Sequence, residues 1–287
     1  MATLLDGKAL SAEIKENLKV KVAEFEKEYG RKISLAVILV GENPASCVYV
    51  KNKIKAAEFV GIKSLSFSLP ETATENEVED LVKTLSADRS VDGILVQLPL
   101  PKHLNEEKIL SIIPAEKDVD GFTAENVGNT TLFKDGINSC TPAGIMYMLK
   151  STGVPLSGKH AVIIGRSNIV GKPVALMLLR ESCTVTICHS KTADLKAIAK
   201  QADILVVAIG KAKFVTADMV KDGAIVIDVG INRTENGLCG DVDFEGVKDK
   251  ASFITPVPGG VGPMTIAMLM SNAYKCAIRR ENGCFFS

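Results

Sequence analysis

Residues 161–173 read Ala-Val-Ile-Ile-Gly-Arg-Ser-Asn-Ile-Val-Gly-Lys-Pro, an apolar run that passes directly into a glycine-bearing turn. An unbroken apolar run is typical of a strand buried on both faces, and the apolar residues of 170–179 have helical spacing. A glycine turn between a strand and a helix leaves backbone N–H groups and a helix N-terminus free to face a pyrophosphate. This segment therefore predicts a dinucleotide-binding sheet.

The glycine spacing of this turn is irregular. Ser167 stands where the second glycine of a Gly-x-Gly-x-x-Gly motif would be, and Gly171 comes one residue late. An ordinary strand-to-helix turn is the alternative interpretation. The order of strand, turn and helix around Gly165 disfavours it.

The end of the next predicted strand bears on the choice of cofactor. An NAD site usually carries an acidic residue there, which accepts hydrogen bonds from the ribose hydroxyls. Here residues 189–191 read His-Ser-Lys, with no acid. Ser190 can donate to a phosphate, and Lys191 and Arg166 can neutralise it, so the segment favours NADP over NAD. A solvated surface position for Lys191 is the alternative.

Strands and helices alternate on both sides of this turn. Apolar runs predict strands at 33–40, 64–69, 93–97, 161–164, 185–188, 204–208 and 224–229. Apolar residues at helical spacing predict helices at 10–29, 45–60, 75–85, 170–179, 193–200 and 265–278. Residues 118–142, rich in Gly, Asn, Thr and Pro, are predicted to be a loop that ends near a domain boundary. The fold class is therefore α/β, with parallel sheets covered on both faces.

The bulk composition excludes several classes of function. A chain of 287 residues predicts about two domains, and equal totals of 34 basic and 34 acidic residues give no field toward nucleic acid or a membrane surface. The N-terminus lacks a signal-peptide pattern, and the apolar runs are too short to span a bilayer. The seven cysteines are scattered without Cys-x-x-Cys spacing, which disfavours a metal site or a disulfide framework. We expect a cytoplasmic protein without metal.

A candidate substrate face lies on the predicted helix 45–60. Tyr49 and Lys53 are four residues apart and share one side of that helix. A phenol beside an amine suits a carbonyl- or iminium-like substrate, and a lysine partly removed from water can exchange protons near neutral pH. The pairing with Tyr49 distinguishes Lys53 from Lys51 and Lys55. A solvated lysine is the alternative.

Two more polar groups occur where predicted parallel strands end. Gln97 closes the apolar strand 93–97, and Asp120 lies in the Lys-Asp-Val-Asp-Gly segment of residues 117–121. Ligands of open α/β sheets bind outside the carboxyl ends of the strands. Both residues are therefore candidates for the site, although a turn-stabilising carboxylate is the more common role of an Asp-Gly pair.

These segments together resemble the bifunctional methylenetetrahydrofolate dehydrogenase/cyclohydrolase family. The matching motifs occur in the family's order over nearly the whole chain, at residues 49–57, 92–101, 117–121, 140–142, 165–167, 170–173, 228–230 and 255–265. The combination is much more specific than any of its parts.

The resemblance implies roles for the catalytic candidates. Lys53 would be the catalytic lysine, above all for the cyclohydrolase step, and Gln97 would position it. Tyr49 would stack on the folate ring, and Asp120 would hold the pterin end of the substrate. The remaining substrate contacts that the resemblance implies are Val96, Leu98, Pro258, Gly259, Gly260, Val261 and Gly262.

The resemblance also implies the cofactor contacts and the domain organisation. NADP would be contacted by Gly165, Arg166, Ser167, Ser190, Lys191 and Ile231. A catalytic, folate-binding domain of residues 1–140 would be completed by a C-terminal helix at 262–287. Residues 141–261 would form an inserted Rossmann-like NADP-binding domain, with the active-site cleft between the two domains. The protein would be a homodimer. Lys191 stands where many relatives carry an arginine, which replaces a bidentate fork with a point charge.

The implied activity is a pair of reversible reactions. The first oxidises 5,10-methylenetetrahydrofolate with NADP, and the second hydrolyses the methenyl product to 10-formyltetrahydrofolate. A monofunctional dehydrogenase would not need both Lys53 and Gln97. A different NADP-dependent dehydrogenase, acting on a small hydroxy or keto acid, would leave the set that includes Tyr49 and Asp120 unexplained. A dinucleotide-sensing module would bind NADP without turnover.

Overall fold

The structure is a computed structural model, and it describes residues 2–235 and 237–283. Its strands are β1 Thr3–Leu4, β2 Ser34–Val40, β3 Lys63–Leu69, β4 Gly93–Val96, β5 His160–Ile164, β6 Thr184–Cys188, β7 Ile204–Val207, β8 Ile225–Asp228, β9 Asn232–Thr234, β10 Gly237–Cys239 and β11 Phe253–Ile254. Its helices are α1 Gly7–Tyr29, α2 Pro44–Val60, α3 Glu75–Ala87, α4 Glu106–Ser111, α5 Ala124–Thr131, α6 Cys140–Ser151, α7 Gly171–Arg180, α8 Leu195–Ala199, α9 Phe244–Val247 and α10 Val261–Glu281.

The described residues form two compact units. The Lys53 unit consists of Ala12–Cys140 and the chain from Ile266 onward, and the Gly165 unit consists of the chain up to Ser11 and of Thr141–Thr265. The division differs from the predicted boundaries at the first residues, because β1 pairs with β11 and so joins the Gly165 unit. Residues 284–287 of the predicted C-terminal helix lie outside the described residues.

The Lys53 unit is built on a parallel sheet with the strand order β3-β2-β4. Successive side chains of a strand point to opposite faces. Leu35 and Val37 of β2 therefore pack in the core with α1, α2 and α10, whereas Ala36 and Ile38 pack in a second core with α3 and α4. Burial on both faces is the reason why this strand reads as an unbroken apolar run.

The Gly165 unit contains a six-stranded parallel sheet with the order β1-β11-β8-β7-β5-β6. The chain leaves β5 to form β6 on one side and then returns to form β7 on the other side. The strand order therefore reverses between β5 and β7, and ligands of such sheets bind outside the carboxyl ends of the strands at that point. The predicted α/β class with parallel sheets is confirmed.

Helix α2 has clear signals at both ends. The side chain of Asn43 accepts hydrogen bonds from the backbone N–H groups of Ala45 and Ser46, and Gly61 ends the helix with a φ of 89°. This φ lies in the left-handed region that glycine adopts without strain. Lys53 falls on the buried side of α2, in line with Val50 and Ala57.

Residues 118–142 were predicted to be a loop, and this prediction was wrong. The segment contains α5 and the start of α6. The Ala-Glu-Asn-Val-Gly-Asn-Thr-Thr sequence of α5 is poor in strong helix formers. Buried Asn126 compensates, because its amide donates to Asp118 Oδ2 and to the carbonyl of Ala115 and accepts from the N–H of Ile137. In the described part of the chain, the helices are all too short or too polar to cross a membrane.

Candidate active site

The central feature of the Lys53 unit is a lysine held by a glutamine. Lys53 is only 9% exposed, and its Nζ donates to Oε1 of Gln97 at 2.9 Å. Gln97 follows β4 directly, and its Nε2 donates to the carbonyl of Leu98 at 2.6 Å. The amide is thus fixed at both ends, so that its oxygen points at the ammonium. The predicted proximity of Lys53 and Gln97 is present in the structure.

Asp120 lies in the loop that follows a short parallel bridge between Ile94 and Asp118. Burial raises the pKa of its carboxyl to about 6, the positive charge of Lys53 opposes this shift, and Asp118 adds to it. A carboxyl with such a pKa exchanges protons close to neutral pH. The electrostatic coupling to Lys53 places Asp120 in the same cluster as the Lys53–Gln97 pair.

Cys140 and Asn272 join this cluster, and neither was among the predicted site residues. The Cys140 thiol donates to the carbonyl of Val119 and lies 3.9 Å from Asp120 Oδ1. Burial raises the pKa of this thiol well above its usual value, so the sulfur stays protonated. Asn272 of α10 donates to the carbonyls of Val119 and Asn138 at 2.8 and 2.9 Å. These bonds attach the Asp120 loop to α10.

The other predicted folate contacts of this unit differ in exposure. Tyr49 lies one turn before Lys53 on α2 and is 38% exposed, which leaves its ring free to meet a ligand. Leu98 is half-buried. The side chain of Val96 is 1% exposed and packs in the core between β4 and α3. Only the backbone of Val96 is left for a substrate contact.

In the Gly165 unit, the turn after β5 depends on the absence of side chains. Gly165 has a φ of 129°, and a Cβ there would overlap the carbonyl oxygen of Ala208, which follows β7. A Cβ on Gly171 would likewise overlap the carbonyl oxygen of Gly165. Both glycines are therefore required by close backbone approach, despite the irregular spacing.

Ser167 has a local task in this turn. Its hydroxyl accepts hydrogen bonds from the N–H groups of Val170 and Gly171 at 3.1 and 3.3 Å, which satisfies two backbone donors at the start of α7. Arg166 is exposed at the same turn, and Lys191 is exposed after β6, the strand that neighbours β5. Ser190 precedes Lys191 in that loop. Two cationic side chains thus stand at the carboxyl edge of the sheet, a donor set that fits the phosphates of a dinucleotide.

The remaining predicted contacts of this unit follow β8 and β11. Ile231 is 47% exposed, and a Cβ on Gly262 would lie 3.6 Å from its Cδ1, so these two residues are brought together. Gly259 has a φ of 112°, and a Cβ on Gly260 would lie 2.6 Å from the carbonyl oxygen of Pro256. Val261 is buried and Pro258 is exposed. Asp228 and Asp241 are two buried carboxylates near Ile231. Neither was among the predicted site residues.

A doubly wound parallel sheet with a glycine turn beside its strand-order reversal defines the class of NAD(P)-binding proteins, and the other unit contains the buried Lys53–Gln97 pair. Among the described residues, no group of three or more His, Cys, Asp and Glu side chains could hold a metal ion. Residues 5–120 match the family model of the tetrahydrofolate dehydrogenase/cyclohydrolase catalytic domain, and residues 139–281 match that of its NAD(P)-binding domain. The chain belongs to the tetrahydrofolate dehydrogenase/cyclohydrolase family.

Relatives over the full length support this membership. Bifunctional protein FolD of Agathobacter rectalis is 59% identical over 280 residues, which are 97% of this chain and 100% of that protein. A crystal structure of the bifunctional enzyme FolD from Campylobacter jejuni is 57% identical with a TM-score of 0.95, and the match covers 98% and 100% of the two chains. The structure of the Trypanosoma brucei methylenetetrahydrofolate dehydrogenase-cyclohydrolase, complexed with NADP cofactor and inhibitor, is 38% identical with a TM-score of 0.93 and 98% coverage of both chains. The predicted family is confirmed, and with it the prediction of an enzyme with both dehydrogenase and cyclohydrolase activity.

Proposed function

We propose that this chain oxidises 5,10-methylenetetrahydrofolate to 5,10-methenyltetrahydrofolate with NADP and then hydrolyses the product to 10-formyltetrahydrofolate. Family membership and the bifunctional relatives support both reactions, and the NADP complex of the Trypanosoma brucei relative supports the cofactor. The observation that carries the proposal is the bond of 2.9 Å between Lys53 and Gln97 on the buried side of α2. A dehydrogenase alone has no need of a positioned lysine.

The oxidation step depends on the orientation of the folate relative to NADP more than on proton transfer. NADP supplies the hydride acceptor, and the two nitrogens that flank the methylene carbon of the folate share the positive charge that remains. We assign cofactor binding to Gly165 and Ser167 at the turn and to Ile231 after β8. Arg166 and Lys191 would neutralise the 2′-phosphate, and Ser190 would donate a hydrogen bond to it, since all three side chains are exposed.

The hydrolysis step asks for proton transfer. Water attacks the methenyl carbon, and its oxygen loses both protons in turn. The ring nitrogen takes up one proton as its bond to that carbon breaks, and the other proton is released to solvent as the formyl C=O forms. We assign the handling of these protons to Lys53, which Gln97 holds in position. Asp120 would hold the pterin end, and Tyr49 would stack on the folate ring. Val96, Leu98 and the run Pro258, Gly259, Gly260, Val261 and Gly262 complete the proposed folate contacts.

Two further properties belong to this proposal. A homodimer is supported by resemblance to the family, and sedimentation of the purified protein at micromolar concentration as a monomer would contradict it. A cytoplasmic location is supported by the scattered cysteines, which suit a reducing compartment.

One assay tests the activity. Purified protein is given methylenetetrahydrofolate with NADP or NAD, and reduced cofactor, methenyl product and formyl product are followed separately. A reaction without protein corrects for spontaneous hydrolysis. We expect reduced NADP to form together with the formyl product. Accumulation of the methenyl compound at the uncatalysed hydrolysis rate would indicate a monofunctional dehydrogenase, and NADP binding without turnover would indicate a sensing module.

A further inference from the structure

Asp241 is a buried carboxylate that binds one loop through its backbone. The residue is 0% exposed and lies between β10 and α9. Its Oδ2 accepts from the N–H groups of Ile209 and Gly210 at 2.7 and 2.9 Å, and its Oδ1 accepts from the N–H of Lys211 at 2.8 Å. Three consecutive backbone donors thus converge on one side chain, and they fix the conformation of the chain just after β7.

The same carboxylate binds a second loop. Oδ1 of Asp241 also accepts from the Nδ2 of Asn232 at 2.9 Å. Gly230 lies so close to it that a Cβ at that position would overlap the carboxylate. The contacts at residues 230 and 232 flank Ile231, so Asp241 packs against the backbone before this exposed residue and binds the side chain after it.

Asp241 is itself held by a second buried acid. Oδ1 of Asp228 accepts from the N–H groups of Asp241 and Gly230 at 2.9 and 3.0 Å, and its Oδ2 accepts from the N–H of Val242 at 2.9 Å. A Cβ on Gly240 would overlap the Asp228 carboxylate. Residues 228–230, the Asp-Val-Gly motif, and residues 240–241 therefore bind each other, since each segment places a buried carboxylate against a glycine of the other.

The loops that meet at Asp241 lie at the dinucleotide edge of the sheet. Residues 209–211 follow β7, residues 230–232 follow β8, and Ala208 makes the close contact with Gly165. Because β5, β7 and β8 are adjacent parallel strands, their carboxyl ends share one edge, and that edge includes the strand-order reversal. Asp241 thus joins two of the loops that border the proposed cofactor site.

We propose that Asp241 is a positioning residue for NADP, which holds the 209–211 and 230–232 loops in the conformation that accepts the cofactor. The inference rests on the proposed function. It makes NADP binding depend on Asp241, a residue that has no contact with solvent. An asparagine cannot replace this carboxylate, because one acceptor oxygen becomes an NH2 group that faces other donors. Asp241→Asn should therefore loosen the loops while leaving the volume of the side chain unchanged.

The test compares NADP binding with a reaction that does not use NADP. Titration calorimetry without folate gives the Kd for NADP, and hydrolysis of methenyltetrahydrofolate reports on the Lys53 unit. For Asp241→Asn we expect the Kd and the KM for NADP to rise about tenfold or more, with hydrolysis changed by less than about twofold. Asn232→Ala removes one of the bonds and should raise the Kd about threefold. Asp243→Asn is the matched control, because it removes the same charge two residues away. Asp243 is the N-cap of α9, but its side chain makes no cap hydrogen bond. The Kd of this variant for NADP should therefore equal that of the wild type.

Each outcome decides the inference. Normal NADP affinity in folded Asp241→Asn overturns it, and so does a parallel fall of hydrolysis and NADP binding, which would indicate general destabilisation. If Asp241→Asn does not fold, Asn232→Ala decides, and an unchanged Kd overturns the inference. A wild-type protein that does not bind NADP overturns the proposed function as well, whereas normal wild-type binding with an unaffected Asp241→Asn overturns the inference alone.

Discussion

The Lys53 site is built from side chains, whereas the Gly165 turn is built from backbone. The Lys53 site consists of side chains that are largely buried and bound to one another, as in the Lys53–Gln97 pair. The Gly165 turn consists of closely packed backbone, with the exposed cation Arg166 at its surface. Proton transfer gains from a positioned, partly desolvated group, whereas a dinucleotide needs free N–H groups and mobile charges. Substitutions at the first site should therefore lower rates, and substitutions at the second should weaken affinity.

The largest effect is expected for Lys53→Met. Loss of the proposed proton-handling group should lower the rate of methenyltetrahydrofolate hydrolysis about a thousandfold, within the usual range for a general acid–base group. The Kd for NADP should stay within about twofold, because the proposed cofactor contacts all belong to the Gly165 unit.

Lys51→Met is the matched control for this experiment. It removes the same charge from the exposed side of the same helix, and hydrolysis should continue at the wild-type rate. Normal hydrolysis by Lys53→Met would show that the assignment of Lys53 is wrong.

A stability effect of the next size is expected for Asp120→Asn. The folded-state pKa of this carboxyl is raised from 3.8 to about 6. A raised carboxyl pKa means that the protonated form favours the folded state, and this contribution is lost as pH rises from about 4 through about 6. Asp120→Asn removes the charge, so at pH 8 its free energy of unfolding should exceed that of the wild type by about 1 to 3 kcal/mol.

The pH dependence separates this account from a simple packing effect. In denaturant titrations, the advantage of Asp120→Asn should shrink as the pH falls from 7 to 4, while substrate binding by the variant is impaired at every pH. An advantage that does not change with pH would contradict the raised pKa of Asp120.

A smaller effect on the same side of the comparison is expected for Gln97→Ala. Lys53 loses its acceptor but stays on α2, so kcat for hydrolysis should fall about tenfold with little change in the KM for folate. Gln97→Glu keeps an acceptor at this position and adds a charge beside Lys53, so it should shift the pH profile of hydrolysis. If neither the rate nor the pH profile responds, Gln97 has no positioning role.

The smallest effects are expected on the cofactor side. Arg166→Ala and Lys191→Ala should each raise the KM for NADP about three- to tenfold, with little change for NAD, because NAD lacks the 2′-phosphate. Lys191→Arg should sharpen the preference for NADP, since it restores a bidentate fork. An equal loss with both cofactors would contradict recognition of the 2′-phosphate.

Several elements of the fold could be predicted from short stretches of sequence. The cap at Gly61, the apolar strand before Gln97 and the turn at Gly165 are each encoded within a few neighbouring residues. The structure has the cap and the turn where the sequence predicts them, and the strand ends one residue earlier, at Val96. The strand-end rule made Gln97 a site candidate, whereas its proximity to Lys53 was implied by the resemblance to the family.

Long-range contacts were beyond the reach of spacing arguments. β1 pairs with β11 across some 250 residues, and α5 forms in a segment of weak helix formers because Asn126 binds distant backbone groups. Asn272 and Asp241 read as ordinary polar residues in the sequence, since their partners become visible only when the chain is folded. The roles of the predicted site residues stay predictions for the experiments above.

The most direct test of the division of tasks is a crossed measurement on Lys53→Met and Arg166→Ala. For each variant, the rate of methenyltetrahydrofolate hydrolysis and the Kd for NADP are measured on the same preparation. We expect Lys53→Met to lose hydrolysis and keep NADP affinity. We expect Arg166→Ala to keep hydrolysis while its Kd for NADP rises about three- to tenfold. If both variants lose both properties to the same degree, the two regions do not have the separate tasks that their construction indicates.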